Sequence, residues 1–165
     1  MDKIGLGGGC HWCTEAVFQS LRGVSKVEQG FVSPKGDETS FSEAIIVHYA
    51  PKVITLKDLI AIHLLTHKST LEHSIRGKYR SAIYTFDSFS DQKSKRILFE
   101  LQKDFEEKLI TKVMVFGKFR ASDKRFHNYY YNNPKKPFCE TYIEPKLALL
   151  RNRFAKKLDD EKSIG

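Results

Sequence analysis

The chain has 165 residues, a mass of 19.0 kDa, 41% hydrophobic and 29% charged residues, and a formal net charge of +8. That is the length of one ordinary domain and a globular composition, so a disordered chain is excluded. No apolar run approaches the ~20 residues of a membrane-spanning helix, and five Pro and ten Gly exclude a collagen-like or proline-rich chain.

Residues 3–6 form a short apolar run ending in Gly7-Gly8-Gly9, which reads as a buried strand entering a tight turn. Residues 13–22 place Ala16, Val17, Phe18 and Leu21 at helical spacing, with Gly23 as the stop. Strands are predicted over 24–32 and 44–49, separated by a loop that begins at Ser33-Pro34. Thr55 reads as the cap of a helix running to about Thr66. Residues 79–86 alternate and read as a strand. Residues 90–109 carry Ile97, Leu98, Leu101 and Phe105 as an apolar stripe between charges, a helix. Residues 113–116 read as a strand, the segment from Ser122 is aromatic and irregular, and a basic helix runs from Pro145 to about Leu158.

The order β-α-β-β-α-β-α-β predicts an α+β fold, a two-layer sandwich with helices packed on a mixed sheet. No repeat, low-complexity stretch or linker divides residues 1–165, so a single domain is expected. The opening residues MDKIGLGGGCHWC hold no apolar signal segment, so the cytoplasm is the expected compartment. The three cysteines, Cys10, Cys13 and Cys139, are an odd set without a secretion signal. That argues against a secreted disulfide framework and for catalytic, metal-binding or incidental roles.

The chemistry concentrates in Gly7-Gly8-Gly9-Cys10-His11-Trp12-Cys13-Thr14-Glu15. Glycines turn the backbone sharply and leave the sulfur uncrowded. Cys10 then stands at a helix start, where free N–H groups and the helix dipole favour a thiolate nucleophile. Cys13 follows one turn later, in reach of an oxidised Cys10. A buried structural cysteine is the alternative for each. C-x-x-C could also be half a zinc site. No second C-x-x-C occurs, and His63 and His67, spaced i,i+4 on a predicted helix, have no evident tie to the cysteines.

GGGCHWCTEAVF resembles the active-site signature of the peptide methionine sulfoxide reductase A family, Gly-Cys-Phe-Trp followed by Gly or Cys. VSKVEQGF, FSEAIIVHYAPKVITLKDLI, GKYRSAIY and FHNYYYNNPKKPFCETYIEPKLALL resemble further family segments in the same order, covering most of the chain. The resemblance implies a ferredoxin-like sandwich and thiol-dependent reduction of methionine S-sulfoxide, free or in proteins and peptides, as protein repair under oxidative stress. It implies that Cys10 attacks the sulfoxide sulfur and Trp12 packs on the substrate methyl. Glu43 would bond the oxygen and supply its proton, with Tyr79 adding a second hydrogen bond. Cys13 would condense with the resulting Cys10 sulfenic acid to a disulfide, which thioredoxin reduces. A carboxyl in an aromatic, partly dry pocket is expected to hold its proton near neutral pH. No cofactor and no metal is implied.

Several positions depart from the family pattern. His11 replaces a Phe of the methyl cage, Phe31 a Tyr that bonds the oxygen, and Ser74 an Asp; His67-Lys68-Ser69-Thr70 replaces His-Asp-Pro-Thr. Losing one donor to the leaving oxygen costs ~2.7–4 kcal/mol if the oxyanion-hole magnitude carries over. His11 makes the cage more polar and reads either as a group that could titrate near neutral pH or as a tolerated aromatic substitution. A slower or substrate-shifted reductase follows as the expectation. A redox sensor or other thiol oxidoreductase, and a methionine- or peptide-binding paralogue without sulfoxide chemistry, are the alternatives. Cys139 reads as a buried structural cysteine or an extra recycling thiol, and His127 with Tyr129 to Tyr131 as rim or packing. The basic residues, among them Lys78, Arg80, Lys136, Arg151 and Lys156, are spread without a recognition motif. They read as a solvated basic face with a preference for acidic partners or peptides; no nucleic-acid or membrane partner is expected.

Overall fold

A computed structural model describes residues 2–71, 78–133 and 135–154. In chain order these form β1 (Asp2–Gly7), α1 (His11–Gln19), β2 (Val24–Pro34), β3 (Ser42–Tyr49), α2 (Leu56–Leu65), β4 (Ala82–Thr85), α3 (Ser88–Leu101), β5 (Lys112–Ala121), α4 (Tyr129–Asn132) and α5 (Glu144–Arg153). The α+β class is as expected. β1 lies between β3 and β4, antiparallel to both, and β2 pairs antiparallel with β3.

The two-layer sandwich is corrected, because the sheet closes into a barrel. β5 makes the closure by changing partners midway. Its residues 112–115 run parallel to β4, and its residues 116–121 pair antiparallel with β2. The chains touch where the partners change: a Cβ on Gly117 would lie 2.7 Å from the Pro34 carbonyl. Period-two alternation then divides the core. Ile4, Leu6, Ile45, Val47 and Ile83 meet the helices, while Val32, Ala44, Ala82 and Tyr84 with Met114, Phe116 and Phe119 pack on the opposite face, which closure turns inward. Fully burying each large aliphatic side chain contributes about 1.5–3 kcal/mol relative to exposure.

α1 buries Ala16, Val17 and Phe18, and α2 buries Leu59, Ile60, Ile62 and Leu64 against the sheet. The predicted Thr55 cap is present as a reciprocal box. Its hydroxyl accepts the Asp58 N–H and the Asp58 carboxylate accepts the Thr55 N–H, both at 3.1 Å. α3 differs from its predicted span. Asp87 caps it by accepting the Ser90 N–H at 2.7 Å, and it ends at Leu101. Gln102 closes the following loop with bonds to the Glu107 carbonyl and the Leu109 N–H. β4 starts at Ala82 because the Arg80 N–H is taken by the Ser42 hydroxyl at 2.7 Å instead of a ladder partner. The terminal helix is entered through a π-helical segment, Cys139–Ile143. Its predicted end, with Lys156 and Lys157, lies outside the described residues, as do Ser74 and Arg76.

Candidate active site

Gly7-Gly8-Gly9 carries the chain from β1 to Cys10, the N-cap of α1. Two histidines brace this turn. His63 donates Nε2–H to the Gly7 carbonyl at 2.8 Å. His67 donates Nδ1–H to the His63 carbonyl, so its Nε2 accepts the Ser81 hydroxyl at 2.8 Å. Its ring lies where a side chain on Gly8 would be, 2.5 Å from an added Cβ. The sequence reading gave this His pair no tie to the cysteines; the structure corrects that. Among the described residues no group of His, Cys, Asp or Glu is arranged to hold a metal ion.

Cys10 is half-buried, Cys13 and Cys139 are buried, and all three thiols are free. The Cys10 pKa is lowered, first by the hydrogen bond from the Cys13 thiol; burial opposes, and the first-turn N–H groups of Trp12 and Cys13 assist. Those N–H groups act electrostatically, since no capping bond to the sulfur is formed. Cys13 is pushed strongly up, by donating to Cys10 and by burial. The pair is therefore polarised, with Cys10 the more acidic thiol and Cys13 the donor. Cys139 is fully buried in the core cluster that contains Cys13, and burial raises its pKa. Lys146, in the Pro-Lys-Leu tail, donates its ammonium to the Thr66 carbonyl. Burial lowers its pKa, while Cys13 and then Cys10 act against that shift.

Across from Cys10, β3 presents Glu43, 6% exposed. Its Oε1 accepts the His11 backbone N–H at 3.1 Å and lies 3.4 Å from His11 Nε2, and its Oε2 lies 3.7 Å from Lys78 Nζ. His11 donates Nδ1–H to the Gly30 carbonyl at 2.7 Å, which leaves Nε2 of the neutral ring without a hydrogen. The reading of His11 as titrating near neutral pH is corrected: burial lowers its pKa, against the pull of Glu43. Phe31 stands edge-on to His11, centroids 5.1 Å apart, and opposite Glu43 in the β2–β3 register. Tyr79 is half-buried beside Lys78, whose ammonium hydrogen-bonds it and is pushed up in pKa by it. The segment 78–80 is tied down by the Lys78 carbonyl, which accepts the Ser42 hydroxyl and the Glu43 N–H. Arg80 was read as surface charge. It is half-buried and bonds the Tyr84 hydroxyl, Ser40 and the Val32 carbonyl.

Trp12 is held in an aromatic stack with Phe126 at 5.0 Å and Tyr129 at 4.3 Å, with Phe138 edge-on at 5.2 Å. The tract that supplies those rings is anchored by Glu15, which sequence reasoning passed over. This buried carboxylate accepts the N–H groups of Asn128 and Tyr129 at 3.1 and 3.2 Å. Burial raises its pKa against those bonds. His127 lies outside this group. It lines a cavity of about 710 Å³ with Glu15, Gln29 and Tyr131, and reaches His11 only through its charge. The structure thus brings together Cys10, Cys13, His11, Glu43 and Phe31, with Trp12 adjoining and Tyr79 beside Lys78. Ser74 is outside the described residues. The signal that could have found Glu15 was its place in the cysteine motif; Lys146 had its place in the tail motif.

A polarised thiol pair at a helix start, facing a buried carboxylate in an aromatic pocket, defines a thiol-based redox site on an α+β fold. The family model for "Peptide methionine sulfoxide reductase" matches residues 2–158, and the chain belongs to that family. It is 33% identical to the peptide methionine sulfoxide reductase MsrA of Deinococcus radiodurans, over 92% of this chain and 81% of that one. It is 31% identical to that of Sulfolobus acidocaldarius, over 99% of each. Mxr1 from Saccharomyces cerevisiae in its reduced form has the same fold, with a TM-score of 0.75, 23% identity, and 86% and 90% of the two chains covered.

Proposed function

We propose that this chain, as one domain in a reducing compartment such as the cytoplasm, reduces methionine S-sulfoxide, free or in peptides, to methionine. The observation that carries the reading is Cys10, made more acidic by the hydrogen bond from Cys13, opposite a buried Glu43 that accepts the His11 N–H. Cys10 attacks the sulfoxide sulfur. The S–O bond breaks as a proton passes from Glu43 to the oxygen, with the Tyr79 hydroxyl as second donor. The hydroxide so released attacks the Cys10 sulfur, the bond between Cys10 and the substrate sulfur breaks, and methionine leaves with that electron pair while Cys10 is left as a sulfenic acid. The Cys13 thiol then attacks that sulfur, water departs, and a Cys10–Cys13 disulfide remains for the thioredoxin dithiol to reduce. Lys146 favours this second step by stabilising the Cys13 thiolate. Trp12, with the His11 and Phe31 walls, holds the methyl side of the substrate. His127 acts through the electrostatics of His11, and Ser74 belongs to the same pocket by its place in the motif. The strand order β4-β1-β3-β2 makes the first four strands a ferredoxin-like core to which β5 has been added. The chemistry calls for no cofactor, nucleic acid or membrane.

The test is turnover of resolved S and R sulfoxides with dithiothreitol and with thioredoxin, wild type beside Cys10→Ser. Turnover of the S epimer alone, abolished in Cys10→Ser, is expected. Absence of turnover with either epimer, or turnover that survives in Cys10→Ser, overturns the reading.

A further inference from the structure

The aromatic rings in and around the candidate pocket carry cations. Lys78 Nζ lies 5.1 Å from the Tyr79 ring, and the Arg120 guanidinium 5.1 Å from Phe31 and 4.7 Å from Phe41. The Arg125 guanidinium lies 4.7 Å from Phe126, and Lys136 Nζ 5.6 Å from Tyr129. These rings are bound to the site: Phe31 stands against His11, while Phe126 and Tyr129 stack on Trp12. Lys78, Arg120, Arg125 and Lys136 are all exposed. Asp123, 3.8 Å from Arg125 Nε, is the paired acid on this rim, and the Glu43 partner of Lys78 belongs to the pocket floor. The rim is therefore strongly positive.

We propose that this rim selects peptides in which the methionine sulfoxide is flanked by Asp or Glu side chains. The proposal rests on the sulfoxide-reductase reading and adds the substrate class. A sulfoxide side chain is neutral, and of these cations Lys78 is the one paired with a pocket carboxylate, so binding the sulfoxide gives Arg120, Arg125 and Lys136 no role. Flanking residues of a bound peptide must cross the rim where the cations stand. Stacking on a ring holds a guanidinium in place and leaves most of its hydrogen-bond donors available to carboxylates. The basic balance of the whole chain, +8, adds long-range attraction of the same sign.

Three acetylated and amidated pentapeptides test it, with central methionine S-sulfoxide flanked by Asp and Glu, by Gly, or by Lys. At low salt, kcat/KM for the acidic peptide should exceed that for the lysine peptide by about tenfold or more, through KM. The ratio should collapse toward one at about 0.5 M salt, where screening acts within a few ångströms. Arg120→Gln combined with Arg125→Gln should lower the acidic-to-glycine ratio while circular dichroism stays native. Binding is read separately in Cys10→Ser through the fluorescence of Trp12, the single tryptophan of the chain. Binding preference for the acidic peptide without turnover would uphold the rim and overturn the activity. Equal turnover and equal binding of all three peptides would overturn the rim and leave the activity standing.

Discussion

Replacing His11 by Phe probes the most unusual group in the pocket. The imidazole is 5% exposed and donates to the Gly30 carbonyl at 2.7 Å. Phe removes that donor, and an acceptor left short of a partner in a buried site costs about 1–3 kcal/mol. The more apolar ring returns about 1 kcal/mol of burial. A net loss of up to about 2 kcal/mol near neutral pH lowers Tm by up to about 8 °C in a chain of this length. The gap should depend on pH. The folded pKa of His11 lies below its unfolded value, through burial first. As pH falls below about 6.5 the unfolded chain binds a proton that folded His11 refuses, so wild type loses up to about 1.4 kcal/mol per pH unit down to the folded pKa. The contribution is complete above about pH 6.5 and lost below it. Glu43, Lys78 and His127 also act on this ring, so the comparison is the wild-type-minus-variant difference at each pH. Thermal melts at about pH 8 and about pH 5 should show the gap narrowing or reversing on acidification. A gap that widens toward acid would refute the assignment of a buried, neutral imidazole.

Cys13→Ser should still release methionine once per chain and leave Cys10 as a sulfenic acid detectable by mass spectrometry, while thioredoxin-supported turnover falls by about tenfold or more; undiminished turnover would remove Cys13 from recycling. Lys146→Met takes away an ammonium that acts on Cys13 more than on Cys10. Each pKa unit by which Cys13 then rises slows disulfide formation about three- to fourfold at neutral pH, because the greater nucleophilicity of the thiolate offsets part of its tenfold loss. Lys146→Arg should restore the rate, and a stopped-flow rate indifferent to both substitutions would count against the role. Phe31→Tyr restores a hydroxyl beside Glu43. If the leaving oxygen lacks a donor, kcat should rise by about tenfold or more, toward the ~10²–10³ that one such donor is worth. An unchanged kcat would show that the oxygen is fully served without it.

The elements legible in the sequence are those whose signals are local. The glycine run into Cys10, the Thr55 cap and the apolar periods of α1 and α2 depend on neighbours within a few residues. What periodicity could not carry was the partner change of β5, because a strand pattern names a buried face and not the edge it joins. The helical stripe that ran on to Phe105 and Leu109 gave no warning that Gln102 spends its side chain closing a loop. Side-chain bonds of that kind compete with the helix and leave no periodic trace.

The same division explains the site. Cys10, His11, Trp12 and Cys13 are adjacent in sequence, so their turn chemistry could be argued from the motif. The braces are not adjacent. His63 reaches Gly7 across 56 positions, Glu15 reaches Asn128 across 113, and Lys146 reaches Thr66 across 80. Each is a polar group that burial would make costly without a partner; His63 and Glu15 find theirs on the segments that carry Cys10 and the aromatic stack, and Lys146 finds its own at the end of α2. A titratable residue inside an apolar tract is therefore the sequence signal that deserved a role. His63, between Ile62 and Leu64, sits in such a tract and is 1% exposed. Its exposure decides the matter, because a buried imidazole there must donate, and the acceptor it reaches is the carbonyl that begins the nucleophile's turn.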